Sequence, residues 1–361
     1  MFKKIGLFLL MIMMVGTCAC AELPAEVSDK PESTFSETVS IDGDHLLVVH
    51  YIDVGQGDCE LIEFPDGKLM LIDAGEYDQA TKVIRYITKL GYQKIDYIVA
   101  SHPHSDHIGS LRQIIENFDV GSVYMPDVAS DTPTYTKLVE TILQKKIPTV
   151  IAKNDVSIET NGEYTIEFLG PVVIQEDLNN DSAVVMIGYG DKKFLFAADA
   201  GEYEEMTLTT NIDCDVLKVG HHGSYSSSSK TFLLKTTPQI GIISCAKVND
   251  YGHPHTAALN RLMKAGVTIY GTYEYGTIVI TCNGKDLAIK TEKGKDGETI
   301  SQPTGEAQDY VLNTSSKKIH LPECENIDTI SEKNRKDVHC TLEELYDAGY
   351  SDCQACRPGE Q

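Results

Sequence analysis

Short apolar runs bounded by Gly, Pro, Asn or Asp recur along this chain from His45 to Thr291, and each predicts a strand. In the first half they cover His45 to Val54, Cys59 to Phe64, Lys68 to Ile72 and Ile95 to Ser101. In the second half they cover Tyr164 to Leu169, Ala183 to Tyr189, Lys193 to Ala197, Val216 to Val219, Ile240 to Ser244, Thr268 to Gly271, Thr277 to Cys282 and Leu287 to Thr291. Between them, apolar positions three and four apart predict helices over Gln79 to Leu90 and Tyr135 to Lys145, with another starting near Ile108. Two groups of strands, each mixed with helices, predict two sheets packed face to face under outer helices.

The flanks follow other rules. Lys3-Lys4, the apolar stretch Ile5 to Val15 and the small residues Gly16 to Cys20 form an export signal over 1-20. Ala19-Cys20 resembles the lipobox of bacterial lipoproteins, so Cys20 is the expected lipid attachment point, with an outer-face membrane location. A cleaved signal and a free secreted protein is the alternative. Residues 21-44 are rich in Glu, Asp, Ser, Thr and Pro and read as an acidic linker. The body spans 45-292, a polar linker 293-306, and a small Cys/His unit 307-361.

Composition narrows the partners. With 361 residues, 42% of them hydrophobic, the body can bury a large core. The net charge of -23 argues against a passive nucleic-acid binder, because phosphate backbones are held mainly by Lys and Arg. A metal centre binds phosphate through its own charge, so the acidity leaves metal-dependent chemistry open.

The densest chemistry is His102-Pro103-His104-Ser105-Asp106-His107, at the junction of a strand and a helix. His102 and His104, two apart, point the same way in extended backbone, and Asp106 and His107 can turn to a neighbouring point about 3.5–4 Å away, the spacing of a two-metal site. Imidazole and carboxylate suit zinc and also manganese or iron. Asp73 and Asp199 end apolar strands, and His221-His222 follow another. His221 is favoured as the last metal ligand, but adjacent histidines point to different sides, and His222 stands as an alternative ligand or substrate contact. His253, beside Pro254 in a Gly-containing turn, is placed to stabilise a transition state or leaving group. His255 reads as a surface or helix-start residue, and Cys59 as a small buried one.

The His102 to His107 run, Leu71-Ile72-Asp73-Ala74-Gly75 and Phe196-Ala197-Ala198-Asp199 resemble, in order, the motifs of the metallo-β-lactamase superfamily. Tyr51-Ile52-Asp53-Val54-Gly55-Gln56-Gly57-Asp58, Lys218 to Ser224 and Asn249 to Pro254 are similar to the extracytoplasmic hydrolase domain of ComEC-type bacterial competence proteins, which import DNA. The resemblance implies an αββα sandwich with one or two divalent metals, Zn or Mn, at one edge of the sheets. It implies metal ligands at His102, His104, Asp106, His107 and Asp199, with Asp199 bridging. It also implies Asp106 as catalytic proton acceptor, Asp73 as hydrogen-bonding support for the histidine loop, and Asn180, Ser182 and Ser224 as substrate contacts. Many members carry a further ligand histidine before the bridging aspartate; none lies between His107 and His221 here. Weaker coordination of the metal at His102 and His104 follows, and a true β-lactamase is disfavoured.

The C-terminal unit resembles the metal-binding domain of the alkylation-repair Ada protein. His320, Cys324, Cys353 and Cys356 are the expected structural zinc ligands, with disulfides the alternative in an exported chain and Cys340 unassigned. These readings favour a metal-dependent phosphodiesterase acting on DNA with metal-activated water, beside separate DNA-uptake machinery. Two alternatives stand: hydrolysis of another phosphoester, such as choline phosphate on wall polymers, or of a lactam or lactone; and a non-catalytic DNA- or wall-binding lipoprotein.

Overall fold

The computed structural model describes residues 45–208, 212–293, 308–340, 342–347 and 349–358. The expected signal peptide with Cys20, the acidic linker 21-44 and nearly all of the linker 293-306 lie outside the described residues.

Strands β1 (Leu47–Tyr51), β2 (Glu60–Glu63), β3 (Leu69–Ile72), β4 (Lys94–Val99), β5 (Asp119–Met125) and β6 (Thr149–Ile151) build most of one sheet. Strands β7 (Val156–Ile158), β8 (Tyr164–Phe168), β9 (Val185–Tyr189), β10 (Lys192–Phe196), β11 (Val216–Lys218), β12 (Ile240–Ile243) and β13 (Thr268–Gly271) build the other. β14 (Ile278–Cys282) and β15 (Leu287–Thr291) return to the first, whose order is β15-β14-β1-β2-β3-β4-β5-β6; the second runs β13-β12-β11-β10-β9-β8-β7.

Each sheet is half antiparallel and half parallel. β3 to β6 are parallel, as are β10 to β13, and parallel neighbours need crossovers. Helices α1 (Ala80–Lys89), α2 (Ser105–Ile108), α3 (Leu111–Asn117) and α4 (Pro133–Lys145) make the first set, and α5 (Glu202–Thr207), α6 (Lys230–Thr236) and α7 (Thr256–Lys264) the second. They cover the outer faces, as the strand pattern predicted, and complete the αββα sandwich that the family resemblance implied.

The core divides into three apolar layers. The middle one lies between the sheets and holds Leu47, Val49, Tyr51, Phe168, Phe194 and Phe196; the outer two lie under the helices. Alternation explains the middle layer, since Tyr164, Ile166 and Phe168 of β8 are buried and the residues between them exposed. Ring pairs tie the sheets together: Phe64 on Tyr164 at 4.3 Å, Tyr124 on Phe168 at 5.3 Å and Tyr51 on Phe196 at 6.1 Å between centroids.

Residues 308–352 add a separate four-stranded sheet, β16 (Gln308–Asn313), β17 (Lys318–His320), β18 (Arg335–Cys340) and β19 (Ser351–Asp352), in the order β18-β16-β17-β19. Its apolar core is small, with Tyr310, Leu312, Ile319 and Leu345 on one side and Val311, Ile327 and Ile330 near the cysteines on the other.

Phe196 is 1% exposed and stacked between the sheets. Phe196→Ala is expected to lower stability by about 3–5 kcal/mol and Phe196→Leu by less than about 1.5 kcal/mol, read from urea unfolding midpoints.

Candidate metal centre

The centre forms where parallel strands of both sheets end. β3 runs into Asp73, β4 into the His102 loop, β10 into Asp199, and β11 into His221-His222. Side chains from four carboxyl ends therefore converge in one crevice, the usual ligand position of open α/β sheets. Gly57 lets the loop after β1 press against this point: at φ +130° it lies so near the Asp106 carbonyl that a Cβ would collide with it.

Asp199, 2% exposed, divides the donors into two groups. Its Oδ1 lies 3.2 Å from His107 Nε2 and 3.4 Å from His222 Nε2. Asp106 Oδ2 closes this group, 3.2 Å from His222 Nε2 and 3.9 Å from His107 Nε2. On the other side Asp199 Oδ2 lies 3.8 Å from His102 Nε2, which is 2.9 Å from His104 Nδ1.

Every buried ring is held from behind. Asp73 Oδ2 accepts from His107 Nδ1 at 2.8 Å, and its two oxygens also take the Ser101 amide at 2.9 Å and hydroxyl at 2.5 Å. His222 Nδ1 donates to the Ser244 carbonyl at 2.9 Å, and Asp58 Oδ1 lies 3.2 Å from the same nitrogen. Such bonds turn Nε2 of both rings toward the crevice.

The fit to a cation rests on three atoms. His107 Nε2, His222 Nε2 and Asp199 Oδ1 are buried without a hydrogen-bond partner, yet lie within 3.2–3.4 Å across the group. Buried polar atoms without partners are costly, and one divalent cation satisfies all three. The donors are nitrogen and oxygen throughout, as suits zinc or manganese.

Electrostatics agree. Burial opposes charge on His107 and His222, but Asp199 and the other carboxylates outweigh it, raising His107 well above its usual range and His222 to about 10. Burial likewise opposes charge on Asp199 and Asp106, and the facing histidines hold both well below the usual carboxylate range. His102 goes the other way, lowered by burial and by neighbouring His107. Without metal, protons on His107 and His222 do part of a cation's work.

The expected site residues sort accordingly. His102, His104, Asp106, His107 and Asp199 come together, with Asp73 behind them. His222, the alternative, rather than the favoured His221, joins Asp106 and His107 at Asp199 Oδ1. His221 stands at the rim, 24% exposed, with Nε2 3.6 Å from Asp199 Oδ2. Both histidines have left-handed backbone, φ 47° and 53°, and this turn carries the second ring inward.

Asn180, Ser182 and Ser224, expected as substrate contacts, each have partners within the protein. Ser182 is fully buried, 3.3 Å from His102 Nδ1, and accepts from the Asp199 amide at 3.2 Å, so it supports ligands. Asn180 Oδ1 accepts from the Gly201 amide at 3.2 Å and so fixes the turn after Asp199. Ser224, 4% exposed, pairs with Ser226 at 3.0 Å.

His253 lies beside the centre, 5.8 Å from His222 and 5.5 Å from His221 between rings. Burial and the neighbouring His222 lower it to about 3, so it is neutral at pH 7, and its Nδ1 has no partner. His255 stands at the first position before α7, with no capping bond from its side chain.

Asp58 and Lys218 were not singled out from the sequence. Lys218 Nζ is fully buried and 2.6 Å from Asp58 Oδ2. This ion pair leaves Asp58 Oδ1 to back His222, although an Asp58 carboxylate oxygen also lies within 4.8 Å of donor atoms on His107, Asp199 and His222. A lysine inside the apolar run Val216 to Val219 was the available signal.

In the C-terminal sheet His320, Cys324, Cys353 and Cys356 place one donor atom each within 4.8 Å of the others. Cys324 and Cys353 sulfurs are 4.0 Å apart, about twice a disulfide bond, and the cluster fits a structural metal. The Cys340 side chain lies outside the described residues.

The profile of the Metallo-beta-lactamase superfamily matches residues 52–247, a span containing both donor groups of the crevice. The chain belongs to the metallo-beta-lactamase superfamily. It is thereby placed among metal-binding hydrolases. ComE operon protein 3 of Bacillus subtilis (strain 168) is 28% identical over 251 residues, 64% of this chain and 32% of that protein. Competence protein ComA of Neisseria gonorrhoeae is 27% identical over 226 residues, 61% of this chain and 30% of that protein. The chain spans about a third of the length of these relatives. Among solved structures, the metallo-beta-lactamase fold protein YhfI from Bacillus subtilis has a TM-score of 0.42 at 15% identity, over 62% of this chain and 96% of that one.

His222→Ala is expected to remove at least one equivalent of tightly bound metal, measured by mass spectrometry after dialysis, whereas His221→Ala retains the Asp106–His107–Asp199–His222 equivalent. A cation has to displace the proton that His222 holds to about pH 10. Metal affinity is therefore expected to rise with pH from 6 toward 10, with proton release on binding in calorimetry across buffers.

Proposed function

We propose that this protein is a metal-dependent phosphodiesterase that cleaves DNA at the outer face of a bacterial membrane, tethered through lipid on Cys20 and working beside DNA-uptake machinery. The observation that carries the reading is the exposure pattern of the two donor groups. His102, His107, Asp199 and His222 are at most 2% exposed, while Asp106 and His221 side chains are 21% and 24% exposed and His104 is half-buried. A phosphate reaching the centre from that side meets both groups across Asp199.

Bound divalent cations supply Lewis acidity and lower the pKa of coordinated water toward neutrality. The residues do the rest. Asp106, ionised and partly open, orients the attacking water and accepts its proton. Neutral His253 is placed to offer a hydrogen bond to a phosphate or leaving-group oxygen. Asp73, Ser182 and the Asp58–Lys218 pair keep ligand rings from turning. The competence name of the Neisseria relative is compatible with this reading.

The net charge of -23 favours a second reading, a smaller phosphoester such as choline phosphate on wall polymers. The non-catalytic binding reading gains nothing from the centre, where the donor set is intact.

The test is hydrolysis of labelled single- and double-stranded DNA with manganese or zinc, beside Asp199→Ala, with circular dichroism to check folding. Metal-dependent cleavage reduced at least about a hundredfold in the variant supports the reading. Intact DNA with turnover of a simple phosphodiester shifts the substrate to a smaller ester, and silence on both favours a binding protein.

A further inference from the structure

Beyond the metal donors, four rings form a continuous run past one side of the centre, with an exposed tyrosine at each end. Tyr251, 64% exposed, lies nearly parallel to His253, with 5.6 Å between centroids and 18° between planes. His253 meets His255 edge-on at 4.9 Å, and His255 meets Tyr225, 59% exposed, at 5.1 Å. The second ring of the run, His253, touches the centre through His221 and His222.

The run is braced. Asn249 Oδ1 accepts from the amides of Tyr251 and His253 at 3.1 and 2.9 Å, and its Nδ2 donates to the His253 carbonyl at 2.7 Å. The Tyr225 amide donates to His255 Nδ1 at 3.1 Å, which locks that ring. Both tyrosine rings therefore stand in water on a fixed support beside a candidate active site.

We propose that Tyr251, His253, His255 and Tyr225 form a stacking wall for the bases of a single-stranded nucleic acid leading away from the metal centre. This deepens the phosphodiesterase reading and rests on it. Ring faces hold bases without regard to sequence, each worth about five- to a hundredfold in affinity. His253 is 8% exposed and meets His255 edge-on, so the two histidines hold the run together while the exposed rings of Tyr251 and Tyr225 offer two separate faces to successive planar groups. A quaternary ammonium is held instead by faces gathered around one point. At the Tyr225 end a cation stands by the backbone of the wall, the Arg261 guanidinium donating to the Tyr225 and Ser227 carbonyls at 2.9 and 2.7 Å.

The test compares kcat/KM of the full, manganese-loaded chain on a base-bearing oligonucleotide and on one with abasic sites flanking the scissile bond. Wild type is expected to prefer the base-bearing strand, with the preference falling about tenfold in Tyr251→Leu and further when Tyr225→Leu is added. Tyr251→Phe, which keeps the ring, is expected to retain it. An unchanged preference in the double variant overturns the wall. So does a loss confined to hydrolysis of p-nitrophenylphosphorylcholine, which would assign the rings to a quaternary ammonium. If wild type cleaves neither oligonucleotide, the phosphodiesterase reading fails, and fluorescence anisotropy with the labelled base-bearing strand decides the wall separately. Binding that weakens in the Leu variants supports it, and equal affinity or no binding to wild type overturns it.

Discussion

A carboxylate nearly sealed from water, Asp199, faces histidine nitrogens on both of its oxygens, and the rest of the centre is arranged around that charge. In a low-dielectric interior an unbalanced carboxylate would be neutralised by protonation. Here the charged rings of His107 and His222 meet it at Oδ1 without metal, and a bound cation would take their place. The constraint explains why the ligand rings are backed so thoroughly. A ring free to rotate would give up both its partner and its share of the compensation.

The backing is spread over both sheets. Asp73 and Ser101 stabilise His107 from the first sheet, and Ser182 and Ser244 stabilise His102 and His222 from the second. The Asp58–Lys218 pair spans the two. Its cost of desolvation is substantial, and such pairs are often no more stable than an apolar substitute. What it contributes is position, an anionic oxygen beside His222 that cannot move without breaking a 2.6 Å ion pair. The consecutive left-handed residues His221 and His222 are a second local cost met by the surrounding fold.

The two candidate metal sites of the chain answer different problems. The body has three apolar layers and can leave buried polar atoms without partners at its edge. The C-terminal sheet has a few apolar residues on either side, so convergent His320, Cys324, Cys353 and Cys356 stand where a larger unit would have core. Nitrogen and oxygen donors at a partly open crevice suit exchangeable substrate, whereas sulfur donors in a closed cluster suit structure.

Strands with continuous apolar runs, such as Leu69–Ile72 and Val185–Tyr189, were legible because burial on one or both faces writes itself into composition. β5, β6 and β7 were not, since Gly, Asp and Ser interrupt β5 and the edge strand β6 is exposed throughout. The short helices α5 and α6 carry too few turns for a period to show, whereas the period of α7 at Ala258, Leu259, Leu262 and Met263 was present in the sequence and went unread. The cluster His102 to His107 declared a metal centre by itself, because its donors are adjacent in the chain and local backbone geometry already brings them together. The choice between His221 and His222 depended on a carbonyl 22 residues downstream, and the role of Asp58 on a lysine 160 residues away. Sequence thus determined the donor types and the strand ends that present them. Only tertiary structure decided which ring turns inward and what holds it, because those bonds form between segments that meet when the two sheets pack.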